Sequence, residues 1–281
     1  MFRKWSRSGP SERPVSFGFA AGVKIAFRSG ASLGPRASGE MTREDQRPVT
    51  LAFDVAGLVC SAVVAFGDRI MSAQRVEGWH GQAEVLLPIV DGAMHEAGLT
   101  PASLDLVATS VGPGSFTGIR VGLAAARGIA LATSAGLIGV SSFEAVLAGC
   151  ALPDQDDFRF VFVTLESRRK DLYVQIFDRR NNAVGLPIAV MPAGFCEMVD
   201  ATIGAAPLLI AGDAASRAAA LLAHREDVHI LEDSAPVAAG VLRASLRRWR
   251  SQEFGAPRPL YLRPPDVTAA SRPQLSSRSR I

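Results

Sequence analysis

Residues 110–122 read Ser-Val-Gly-Pro-Gly-Ser-Phe-Thr-Gly-Ile-Arg-Val-Gly, and the fold is decided by how this stretch is read. A short apolar run of β type, residues 104–111, leads into it, and an alanine-rich helical pattern, residues 119–135, leads out. Gly112, Gly114 and Gly118 permit a tight turn with close backbone approach, because a residue without Cβ tolerates positive φ. Ser115 and Thr117 stand where the helix begins. Unpaired N–H groups and the helix dipole there favour a capping oxygen or an anion. The residues alone leave two readings open, a strand–turn–helix junction without a ligand and an anion-binding turn. Two known loops are excluded. No Gly-Lys-Ser/Thr follows, so this is not a Walker loop. Ser115 follows Gly114 directly, so the Gly-x-Ser-x-Gly of a nucleophile elbow is not met.

The flanking sequence is built from the same kind of unit. Strand-like runs at residues 49–54, 59–66 and 69–76 are separated by turns at Gly57 and at Gly67-Asp68. Residues 82–97 form an amphipathic helix, with Val85, Leu86, Ile89, Val90, Ala93 and Met94 on one face. After the glycine loop and its helix come a short strand, residues 137–140, and a helix, residues 143–148. A polar break at 153–157 separates this lobe from a second one. There β recurs at 160–165, 172–177, 207–211 and 228–231, with helices near 193–201, 214–223 and 235–249. Residues 1–47 are expected to be a disordered or spurious extension, 48–152 a first α/β lobe, 153–257 a second, and 258–281 a basic flexible tail. Two readings stay open for the extension, a mitochondrial-type presequence and translated DNA upstream of a start at Met41 rather than Met1.

Composition narrows the function classes. With 281 residues and 48% hydrophobic content the chain can bury a substantial core. Its net charge of +3 sits in the ends: residues 1–40 carry +5, residues 258–281 carry +4, and the body between them is near −6. A body of that sign lacks the broad basic footprint of a protein that grips RNA by itself. Cys60, Cys150 and Cys196 are odd in number and far apart, which predicts buried thiols in a reducing compartment rather than disulfides or a zinc site. No apolar stretch approaches the roughly 20 residues of a membrane span, so a soluble, cytoplasmic protein is expected.

The run Gly-Pro-Gly-Ser-Phe-Thr-Gly-Ile-Arg-Val-Gly-Leu, residues 112–123, resembles the signature of the TsaB (YeaZ) family. That family comprises non-catalytic subunits of the bacterial tRNA threonylcarbamoyladenosine machinery, paralogous to the catalytic TsaD. Further pieces match it: Glu166-Ser167-Arg168 with Asp171-Leu172-Tyr173, then Leu209-Ile210-Ala211-Gly212-Asp213, then Pro259-Leu260-Tyr261-Leu262-Arg263. The resemblance covers roughly residues 48–268. It implies an α/β protein of two ribonuclease-H-like lobes of the actin/hexokinase/heat-shock ATPase superfamily. In that superfamily Asp54 matches the carboxylate ending strand one and Ser61 the small hydroxyl residue of the next strand, while Val55 replaces the usual Thr.

The resemblance implies a role without catalysis. TsaD carries Gly-Val-Asn-His-x-x-x-His, whose two histidines project from one helical face and bind a metal. Here Ser142 and Val146 occupy those positions, and valine cannot bind a metal. His80, His95, His224 and His229 are not spaced to compensate. No catalytic or metal-binding residue is therefore expected. The implied partner is TsaD, in a heterodimer formed by the first-lobe helices through Gln82, Leu86, Ile89, Val90, Gly118, Gly122, Ala126 and Ile129. The TsaE ATPase would join the pair, a homodimer would form when the chain is alone, and tRNA would be met only through the complex. No cofactor is required; ATP or ADP, if bound, is expected at the partner interface, with Asp54, Gly112, Gly114, Ser115, Thr117 and Arg120 nearest to it. The alternative is a catalytically active ATP-dependent transferase or metallopeptidase of the same superfamily.

Overall fold

A computed structural model describes residues 3–4, 47–77, 82–153, 158–167, 169–204, 206–232, 234–252 and 256–263. A two-residue strand, β1 (Arg3–Lys4), comes first. The first lobe then runs β2 (Val49–Asp54), β3 (Val59–Phe66), β4 (Arg69–Glu77), α1 (Gln82–Glu96), β5 (Leu106–Ser110), α2 (Phe116–Thr133), β6 (Gly136–Val140) and α3 (Ser142–Gly149). The second runs β7 (Phe160–Glu166), β8 (Leu172–Asp178), β9 (Ala183–Val190), α4 (Pro192–Ile203), β10 (Leu208–Ala211), α5 (Ala215–Leu221), β11 (Val228–Ile230) and α6 (Ala238–Arg250).

The two sheets share one strand order. In the first it is β4-β3-β2-β5-β6, and in the second β9-β8-β7-β10-β11, with β1 added parallel to β11 at the far edge. In each lobe the first three strands are antiparallel neighbours and the last two run parallel to the first. This is the ribonuclease-H-like arrangement, present twice. β2, β5 and β7 read as near-continuous apolar runs because helices cover both faces of the sheet at that point. One face of the first sheet packs under α1 and α2 through Leu51, Phe53, Leu86, Ala93 and Ala126. The second sheet buries Phe162, Val174, Leu208 and Ile210 under α4 and α5.

Three features depart from what chain order predicts. First, α6 does not belong with the second lobe: Val241, Leu242 and Leu246 cover the other face of the first sheet, against Ala52, Val63 and Ala108. That face would otherwise stand in water, so the chain returns to close it. Gly240 makes the return possible, since a Cβ there would lie 2.0 Å from the Ala145 carbonyl oxygen of α3. Second, residues 258–263 are not a loose tail but pack across both lobes, as described below. Third, β9 is a strand where no strand pattern was legible: Gly185 and Pro187 interrupt its run, which an edge strand with a register shift tolerates. The thiol of Cys60 is buried and pushed up to about 12, and that of Cys150 to about 11, both by burial. No helix among the described residues is long and apolar enough to cross a membrane.

Candidate functional site

β2 and β5 lie side by side and parallel, so their C-terminal ends bring the turn after Asp54 against the glycine loop. Asp54 is fully buried, and its Oδ1 accepts the Ala56 N–H at 3.2 Å. Burial holds its carboxyl above the usual carboxylate range, against hydrogen bonds from Ser110, Ala56 and Gly57. The glycine loop closes directly on this turn. Ser115 N–H donates to the Ala56 carbonyl at 2.8 Å, and a Cβ on Gly114 would stand 2.2 Å from that same oxygen. Gly112 has φ +99° and precedes Pro113 in a cis peptide; a Cβ there would meet Ile119 and the Leu260 carbonyl. Ser115 caps α2, its side chain accepting the Gly118 N–H at 3.2 Å. Gly112, Gly114 and Ser115 are thus brought to the Asp54 turn, whereas Thr117 and Arg120 stand on the outside of α2.

Arg120 is held by the C-terminal segment. Its guanidinium lies 3.7 Å from the centre of the Phe116 ring, and its Nε donates to the Tyr261 hydroxyl at 3.1 Å. Arg127 donates to the Pro257 carbonyl at 2.8 Å, and Leu260 N–H to the Val111 carbonyl at 2.8 Å. Beyond Tyr261, Leu262 packs in the second-lobe cluster and Arg263 pairs with Asp171 at 2.9 Å. Residues 257–263 therefore form a strap from the glycine loop to the β7–β8 hairpin, which explains why the Pro-Leu-Tyr-Leu-Arg element is a recognisable motif. The expectation that Arg120 is nucleotide-proximal is accordingly revised, because an arginine stacked on Phe116 and bonded to Tyr261 is already engaged.

The second lobe carries the corresponding junction with different chemistry. Gly212 follows β10 with φ +109°, and a Cβ there would lie 2.0 Å from the Thr164 carbonyl. Asp213 accepts the Glu166 N–H at 2.9 Å, and Arg217 of α5 pairs with Glu166 at 2.8 Å. Burial pushes the Asp213 carboxyl up to about 6; the Glu166 N–H opposes this, while the charges of Glu166 and Asp54 add to it. Asp213 and Glu166 were legible only as motif members. Their shared site needs β7 and β10 to be neighbours. Ser142 and Val146, at the positions of the TsaD histidines, are both buried on α3. Among the described residues no three His, Cys, Asp or Glu side chains gather as a metal site.

The predicted helix-face contacts need correction. Leu86, Ile89, Val90 and Ala126 are buried in the chain's own core. Gly118 is buried too, and Gly122 faces inward: a Cβ there would lie 2.6 Å from Val55 and 3.2 Å from the Thr109 hydroxyl. Its small size admits the Asp54–Gly57 turn, not a second helix. Ile129 is half-buried against the same core, and the side chain of Gln82 lies outside the described residues. What α1 and α2 leave in solvent is Leu87, 57% exposed, and Leu131, 85% exposed, with Pro88, Ala124 and Gly128 exposed beside them in sequence. Sequence reasoning missed both leucines because they lie off the apolar stripes. An apolar residue off the stripe is the signal that could have found them.

The sequence is 33% identical over 225 residues to an uncharacterized protein of Mycobacterium tuberculosis, covering 79% of this chain and 95% of the relative. It is 28% identical over 134 residues to the tRNA threonylcarbamoyladenosine biosynthesis protein TsaB of Escherichia coli, 48% of this chain and 57% of that one. The solved structure of YeaZ from Pseudomonas aeruginosa superposes with a TM-score of 0.63 and 22% identity, over 76% of this chain and all of that one. The chain belongs to the TsaB (YeaZ) family. The sequence model of a family described as TsaD, tRNA N6-adenosine threonylcarbamoyltransferase, also matches residues 80–190. That match runs from α1 through the glycine loop, α2 and α3 into β9, and it includes Ser142 and Val146.

Proposed function

We propose that the protein is a non-catalytic subunit in tRNA threonylcarbamoyladenosine biosynthesis that binds and stabilises TsaD. The observation that carries this reading is the outer surface of α1 and α2, where Leu87 and Leu131 stand in water although the same helices bury a full apolar stripe inward. Burying such side chains against a partner contributes roughly 1.5–3 kcal/mol each. Membership of the TsaB family supports TsaD as that partner, with the TsaE ATPase joining the pair and the tRNA modified by the complex. Ser142 and Val146 support the absence of catalysis, since neither provides an imidazole. In this reading the ATP or ADP that the assembly uses lies at the interface with TsaD, and the site of action is the cytoplasm.

Light scattering after size exclusion tests it, with the chain alone and mixed with TsaD from the same organism. A one-to-one species is expected, lost on Leu131→Glu combined with Leu87→Glu while the melting temperature of the isolated chain is unchanged. A homodimer of the isolated chain would be replaced by the heterodimer. If TsaD is not bound at micromolar concentrations, or is bound equally by the double variant, the reading fails.

A further inference from the structure

Three arginines of the folded body line one cavity, away from the exposed leucines of α1 and α2. A cavity of about 470 Å³ lies where α3, the β8–β9 hairpin and the C-terminal turn of α6 meet. Arg180, Arg247 and Arg248 line it, together with the polar side chains of Asn181, Asn182 and Ser251. Arg248 also borders an adjoining cavity of about 290 Å³, which Arg258 lines. The floor of the larger cavity is apolar, formed by Phe143, Leu147, Phe177 and Leu260. Its size falls within the roughly 300–1,000 Å³ of small-molecule sites, and an apolar floor under a few convergent polar groups is their usual make-up.

The charge in this cavity is unbalanced. Glu144 is the one carboxylate among its lining residues, and it is already engaged: it accepts the Ser141 N–H at 2.8 Å and pairs with Arg248. The nearby Asp178 carboxylate accepts N–H groups of its own turn, from Arg180 at 2.8 Å and from Asn182 at 2.8 and 3.0 Å. Arg180 and Arg247 are both exposed and converge on the same space. A body whose net charge is near −6 does not produce such a cavity as a by-product of general basicity. Like charges brought together repel, and the planar guanidinium fork that two or three of them present matches a phosphate.

We infer that this cavity is a binding site for a phosphate ester, carried either by a free nucleotide or by the backbone of an RNA. Arg180 and Arg247 contact the phosphate, Asn181, Asn182 and Ser251 supply further polar contacts, and the apolar floor accommodates the ring or sugar attached to it. Arg248 is a positioning residue, tied to the Gly139 carbonyl and to Glu144.

The test uses the isolated full chain, without TsaD, so its outcome is independent of the proposed complex. Binding of an unmodified tRNA transcript, of ADP and of inorganic phosphate is titrated at two salt concentrations against wild type, Arg247→Glu, Arg180→Glu and, as a control on the far sheet edge, Arg69→Glu. Both cavity variants are expected to weaken binding at least tenfold while Arg69→Glu does not. For tRNA, the slope of log affinity against log salt should fall by about one per arginine removed. Binding of tRNA without ADP or phosphate identifies the RNA backbone as the source; binding of ADP identifies a free nucleotide. No binding of any probe at millimolar concentration overturns the inference, and so does equal weakening by Arg69→Glu. Circular dichroism of each variant separates lost binding from lost fold.

Discussion

The two lobes solve one problem in two ways. In both, a glycine after a parallel strand lies close against a neighbouring backbone, Gly114 after β5 against Ala56 of the turn after β2 and Gly212 after β10 against Thr164 of β7. The first junction is sealed backbone to backbone: Ser115 bonds to the Ala56 carbonyl, and Asp54 is closed beneath it. The second makes the same kind of bond, Ala214 N–H to the Thr164 carbonyl at 3.2 Å, and adds charged side chains, Asp213 on the Glu166 N–H and Arg217 on Glu166. The helices that follow differ as well, 18 residues in α2 against 7 in α5. A strand–turn–helix unit sealed by its own backbone can carry a long helix whose outer face is available. One that adds an ion pair between side chains ties its helix to charge as well.

The largest effect expected comes from breaking both seals sterically. Gly114→Ala and Gly212→Ala each place a Cβ about 2 Å from a backbone oxygen. Each should cost about 3 kcal/mol or more, read as a fall in melting temperature. If only one of the two falls, the junctions are not the same device.

A smaller effect should appear as a pH dependence at the second junction. The Asp213 carboxyl lies near 6 in the folded chain, above its ordinary value of 3.8. The native state therefore takes up the proton first, and stability contributed at this site rises as pH falls through 6 towards 4. It is absent above about pH 7. The gain is on the order of 2 kcal/mol. Asp213→Asn keeps the oxygen that accepts the Glu166 N–H and should flatten this slope in denaturant melts between pH 7 and 4.5. An unchanged slope would remove the electrostatic half of the comparison.

The strap joining the junctions should show effects no larger than this, unequal at its two ends. Arg263→Ala leaves the buried Asp171 without its partner and should cost about 2 kcal/mol. Arg120→Ala removes an exposed stack and one hydrogen bond and should cost about 1 kcal/mol. Chemical denaturation of both variants ranks them, and equal costs would mean that the strap does not distinguish the lobes.

Most of the first lobe was legible because its elements are local. Residues 82–97 and 119–135 carry helical periodicity, and the glycine loop marks where strand gives way to helix. Asp54, Gly112, Gly114, Ser115, Thr117 and Arg120 were grouped as nearest to a nucleotide; the fold brings the first four to one turn and leaves Thr117 and Arg120 on the outside of α2. The partner face was misread for a physical reason. A stripe of apolar and small residues on a helix reports burial, but not which surface does the burying. For Leu86, Gly122 and Ala126 it is the chain's own sheet and turn. The same limit hid the arginine cavity, since Arg180 and Arg247 are 67 residues apart and converge only through the packing of α6 beside the β8–β9 hairpin.

The sequence by itself determined the strand–loop–helix unit, its duplication in class if not in residues, and the family, because these depend on short-range patterns of glycine, apolar period and motif. Only the tertiary structure decided that α6 belongs to the first sheet, that residues 257–263 strap the lobes together and that Leu87 and Leu131 face outward. Each of these depends on which apolar surface is nearest in space. Burial drives that choice, and burial is a property of the assembled sheets rather than of any stretch of chain.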